Sequence, residues 1–118
     1  MEDIMTIGGF FASLPKWNVE EETGYKPVTT FWQDFSVADA FGGKAVRDTY
    51  NRAFNSWRSD HIYLTELVMV LNHKIWQHYD EGNLALSRLY NKLWEEADEW
   101  ALANLFGDKL DYFIRTLD

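Results

Sequence analysis

Cysteine is absent from the 118 residues, proline occurs twice and glycine seven times. Without a thiol there is no disulfide, no thiolate nucleophile and no cysteine-ligated zinc. So few prolines and glycines argue against a linker-rich or disordered chain. No run approaches the ~18 consecutive apolar residues of a membrane span, and no basic segment leading into an apolar one opens the chain. A soluble, cytoplasmic protein that avoids the membrane is expected. Positive charge is also scarce: 11 Lys and Arg against 19 Asp and Glu give a formal charge of −8, which disfavours sequence-independent contact with nucleic acid.

Aromatic residues are plentiful, at 17% of the chain with 6 Trp, enough bulk to fill a core and leave some rings for a partner. At 118 residues, one domain around one core is expected. Charge is segregated along it. Residues 1–40 hold seven acids and two bases, 41–80 four and five, and 81–118 eight and four.

The strongest pattern is HIYLTELVMVLNHKIWQHY, residues 61–79. At 100° per residue its Ile62, Leu64, Leu67, Val68, Met69, Leu71, Ile75, Trp76 and Tyr79 fall in an arc of roughly 220°. A surface helix needs about half that width, so this one should touch neighbours on two sides. Asp60 is placed as its N-cap and Gly82 as its stop. Thr65 and Asn72 fall inside the apolar arc and each should have a polar partner, because an unpaired amide there costs about 1–3 kcal/mol.

Around that helix, residues 1–28 read as an irregular arm and acidic loop, with Gly8-Gly9 opposing a helix, Phe10, Phe11 and Leu14 pinning the arm, and Glu20-Glu21-Glu22 solvated. Residues 29–41 read as a helix capped by Thr29 or Thr30, with Ser36-x-x-Asp39 as a second capping signature and a break at Ser36. In 44–58, Val46, Tyr50, Ala53, Phe54 and Trp57 share one face, while Lys44, Arg47, Asn51, Asn55 and Arg58 share the other. Residues 83–106 bury Leu86, Leu89, Tyr90, Leu93, Trp94, Ala97, Trp100, Ala101 and Leu105, with Gly107 as stop and Asp108 capping a last helix over 109–117. The expected fold is all-α: a compact bundle of four to five helices over 29–118 behind the irregular segment.

Chemistry is harder to find. Glu95, Glu96, Asp98 and Glu99 form i,i+3 pairs that could hold a divalent cation, as in all-α nucleotide pyrophosphohydrolases, but that site needs a second acidic helix and Glu66 stands alone on the central one. The cluster also lies opposite the buried stripe, so a solvated acidic face is expected. His61, His73 and His78 lack both a Glu-x-x-His and a His-x-x-x-His frame. Neither glycine pair continues as a phosphate loop, and no serine sits in a Gly-x-Ser-x-Gly frame. The expectation is a non-enzymatic chain with no catalytic residue, metal or cofactor.

Three strings, FWQDFSVADAFGGKA (31–45), LTELVMVLNHKIWQHY (64–79) and LDYFIRTLD (110–118), resemble small proteins encoded in phages, plasmids and integrative elements of Gram-positive gut bacteria. The resemblance carries over no site residues. It implies a setting in which small acidic proteins often bind and block a larger host protein. The leading expectation is therefore a protein-binding module using the acidic face, in its sharpest form an inhibitor of a nucleic-acid-binding defence enzyme such as a CRISPR effector. The alternatives are a DNA-binding regulator using Lys44, Arg47, Asn51, Asn55 and Arg58, and a small Mg²⁺- or Mn²⁺-dependent hydrolase at 95–99. The width of the apolar arc leaves room for a homodimer.

Overall fold

The computed structural model describes residues 24–118, so the arm, Phe10, Phe11, Leu14 and the glutamate run lie outside the described residues. Within them run five helices: α1 Phe31–Phe41, α2 Gly43–Trp57, α3 His61–Asp80, α4 Leu84–Asn104 and α5 Gly107–Leu117. No strand occurs among the described residues.

Helix boundaries follow local chemistry. Asp60 accepts hydrogen bonds from the backbone N–H groups of Ile62 and Tyr63 at 3.0 and 3.3 Å, satisfying two donors that α3 leaves without intrahelical partners. Asn83 does the same for Leu86 N–H at 3.2 Å and starts α4. Between α3 and α4, Gly82 takes φ +81°, a turn an L side chain resists. α1 and α2 are joined by Gly42 alone, at φ +104°.

α1 is unbroken at Ser36, and Ser36-x-x-Asp39 caps nothing: the serine hydroxyl donates back to Trp32 O at 2.9 Å within the same helix. Thr30 occupies the N-cap position without a side-chain cap bond. The Thr29 hydroxyl accepts from Phe31 N–H at 3.0 Å, and the start of α1 is also held from α3. Glu66, completely buried, accepts from Val28 N–H at 2.8 Å and Thr29 N–H at 3.0 Å, and from the Thr29 hydroxyl.

α3 packs against all four other helices, most extensively against α4. Leu64, Thr65, Glu66, Leu67 and Val68 are consecutive and all buried, so that stretch of α3 is enclosed on every side. The second half is enclosed on one side only. Ile62, Trp76 and Tyr79, placed in the buried arc by periodicity, are exposed, as is Asn72. Thr65 is buried and donates to His61 O at 2.6 Å, a bond within its own helix.

α4 buries Leu86, Tyr90, Leu93, Ala97 and Ala101, followed by Leu105, while Leu89, Trp94 and Trp100 are half-buried at its border. α2 buries Val46, Tyr50, Ala53 and Phe54, whereas Trp57 stays 41% exposed with its ring 4.4 Å from that of Tyr63. Gly107 opens α5 rather than closing α4, which ends at Asn104. α5 buries Phe113 and leaves Leu110 and Leu117 half-buried.

Candidate functional site

The most concentrated ionisable chemistry lies inside the bundle, where α1, α3 and α4 meet. Asp39 Oδ2 receives Lys74 Nζ at 2.9 Å and stands 2.9 Å from His78 Nε2, close enough for an ion pair but not aligned for a hydrogen bond. Its other oxygen accepts from the Tyr90 hydroxyl. Lys74 also donates to Ser36 Oγ at 3.1 Å, and the Tyr90 and His78 rings stack with centroids 5.5 Å apart.

Burial on its own would raise the Asp39 carboxyl, but the His78 contact, the Lys74 ammonium and the Tyr90 hydroxyl together hold it below the usual range. Burial and then the Asp39 charge push the Tyr90 phenol far up. The sequence hides this cluster because Asp39 is 35 positions from Lys74 and 51 from Tyr90, pairs that only the tertiary fold joins. Its one legible signal is a lysine on the apolar side of an otherwise hydrophobic helix. His78 is buried in this cluster, stacked on the Tyr90 ring.

That constellation has the residue types of acid–base catalysis but not the access. Lys74 and His78 are 1% and 4% exposed, and Asp39, Lys74, His78 and Tyr90 line neither of two grooves formed by the described residues, one along α3 at Trp76 and one between α1 and α2. A reacting atom needs a place beside the base. Here the interior groups serve one another.

The acidic residues lie elsewhere. Glu95, Glu96 and Glu99 are exposed on α4, while Asp98 is half-buried rather than fully on the far side. Partial burial, then the neighbouring Glu99 charge, raises the Asp98 carboxyl. One turn beyond, Leu102 is 52% exposed, and Phe106 after the helix is 75% exposed. The carboxylates are thus continued by apolar surface. Among the described residues no three His, Asp or Glu side chains converge to hold a metal ion. Glu66 on α3 faces the start of α1 and cannot complete the cluster.

On α2, Lys44, Arg47, Asn51, Asn55 and Arg58 are all exposed. Lys44 is paired with Asp48 at 2.8 Å, and Asn55 accepts from Arg58 at 3.5 Å. Arg58 lies 5.5 Å over the Phe54 ring and 5.9 Å over that of Trp100, so its guanidinium clasps α2 to α4.

No family model, curated protein or solved structure matches the chain. The surface has to be read from its own chemistry. No helix among the described residues is long and apolar enough to cross a membrane. Two faces stand out on the surface: the carboxylate face of α4, and the outer side of the second half of α3 with its exposed Trp76 and Tyr79. Periodicity located the first; the second it had assigned to the core.

Proposed function

We propose that this chain is a non-enzymatic protein-binding module that acts through an acidic helical surface flanked by exposed apolar and aromatic side chains. One observation carries the reading. The ionisable residues suited to catalysis are closed in upon each other, whereas Glu95, Glu96 and Glu99 stand in solvent beside exposed Leu102 and Phe106. Fixed carboxylates on a helix present negative charge at a regular rise, and an apolar neighbour supplies the desolvated contact that charge alone lacks.

The partner suited to such a face is a larger protein with a basic groove, such as the phosphate-binding channel of a nucleic-acid-binding host defence enzyme. The resemblance to proteins of phages and mobile elements points the same way. The engagement of Arg58 with the Phe54 and Trp100 rings and of Lys44 with Asp48 leaves the α2 face with less unpaired positive charge than a DNA reader uses.

The test is co-purification of a partner from a host lysate by the full chain and by a Glu95→Lys, Glu96→Lys, Glu99→Lys variant. Three reversals change the local charge by six, so capture should be lost at about 150 mM salt while the circular dichroism spectrum is unchanged. Capture undiminished by the reversals would dismiss the acidic face.

A further inference from the structure

The outer side of α3 carries a second surface. Trp76 and Tyr79 are 59% and 57% exposed, with ring centroids 5.9 Å apart and planes at 77°. A large indole left in water beside a phenol is unusual in a chain that buries Trp32 and half-buries Trp94 and Trp100. Trp76 borders a groove of about 540 Å³ whose walls include Met69, Asn72, Gln77, Asp80 and Glu81. Among the described residues no Lys or Arg lines it. Trp32 and His73, whose rings meet edge to face 5.7 Å apart, complete its lining, and the exposed Trp76 indole with the Asp80 and Glu81 carboxylates has the chemistry of a cation receptor.

We propose that this groove receives an arginine side chain from a basic segment of the partner protein. The inference rests on the protein-binding reading above but uses different residues. A guanidinium is planar and weakly hydrated, so it stacks on an indole while its N–H fork faces a carboxylate. Asp80 follows Trp76 by one helical turn and offers that carboxylate on the same edge of α3. Glu81, 57% exposed and 3.4 Å from both Gln77 Nε2 and His78 Nδ1, adds negative potential at the mouth. Met69 supplies a polarisable thioether for the arginine stem.

Charge also selects between occupants. A second copy of this chain brings a formal charge of −8 against an equal −8, whereas a basic segment is drawn to it. Lysine fits less well, because a compact, strongly hydrated ammonium neither stacks nor bonds in a fork.

The experiment titrates the isotope-labelled full chain with a short arginine-bearing peptide, and with its neutral citrulline counterpart, at about 150 mM salt, where attraction beyond about 8 Å is screened. The Trp76 indole N–H resonance, assigned by its disappearance in Trp76→Phe, should shift and saturate with the arginine peptide and stay still with citrulline. Trp76→Ala and Asp80→Asn should each weaken binding about fivefold to tenfold. Both positions are exposed, so folding is untouched.

Equal shifts from the citrulline peptide, an unmoved Trp76 resonance, or variants that bind as the parent does would overturn the proposal. So would a Trp76 shift that follows protein concentration alone together with a dimer in sedimentation, because a second copy would then hold the groove. The Glu95→Lys, Glu96→Lys, Glu99→Lys variant should keep the Trp76 response to peptide. Its loss of lysate capture therefore reports on the α4 face separately.

Discussion

The second half of α3 has two sides that differ in every respect that bears on function. Its inner side holds Lys74 and His78, both buried and both against Asp39; its outer side holds Trp76 and Tyr79, both more than half exposed. Residue type alone would place catalysis on the inner side and packing on the outer one. Access reverses that assignment. Asp39, Lys74, His78 and Tyr90 tie α1, α3 and α4 together with only Asp39 partly open to solvent, whereas apolar rings in water gain by being covered. Reactive residue types therefore say little until the space beside them is known.

The sharpest way to break that contrast is to remove the inner carboxylate. Asp39→Ala strips the Lys74 ammonium and the Tyr90 hydroxyl of their shared acceptor on α1, and breaking one partner of a buried ion pair costs about 3–5 kcal/mol. The melting temperature should fall by more than about 10 °C in calorimetry. The fraction still folded should shift at Trp76 with the arginine peptide as the parent does. A variant that kept its melting temperature and lost its partner would make the interior cluster a working site.

A smaller effect is expected at the opposite end of the α1–α3 seam, where Glu66 takes Val28 N–H on one oxygen and Thr29 N–H on the other. Glu66→Gln keeps the shape but turns an amide NH₂ toward one of those donors. One buried N–H then loses its acceptor, at a cost of about 1–3 kcal/mol in urea denaturation. Glu66→Asp should not rescue it, because the shorter side chain falls short of the same donors.

The bundle itself was legible because helix caps and apolar spacing are local: Asp60, Asn83 and Gly82 act within three residues of themselves. The buried stripe of α4 followed from the same period. What periodicity could not supply was the partner of each polar side chain. Glu66, Lys74 and His78 read as interruptions on α3, yet each is buried by a group from α1 or α4 that is distant in sequence. Trp76 and Tyr79 failed in the opposite sense. Apolar spacing placed both rings in the buried arc, and which side of α3 the other described helices cover is set by tertiary packing. The acidic face was visible as composition; its apolar continuation through Leu102 and Phe106 needed the end of α4 to be placed.

The smallest effect comes from setting Asp39, held among Lys74, His78 and Tyr90, against Asp98 on α4 as pH changes. Asp39 has a folded pKa below its ordinary value of 3.8, so the folded chain releases that proton more readily than the unfolded one. The stability it contributes is complete above that value and is lost as pH falls through the folded pKa. Asp98 is shifted the other way, by partial burial and then by Glu99, so it favours the folded state only while protonated. Stability then declines as pH rises through the window above 3.8 and stays lower at neutral pH. Asp98→Asn should accordingly raise stability at pH 7 by a few tenths of a kcal/mol, within the usual range for surface changes, and flatten that decline. A destabilised Asp98→Asn would mean that the carboxylate makes a favourable contact in the folded chain, and the α4 face would no longer be a row of charges held apart for a partner.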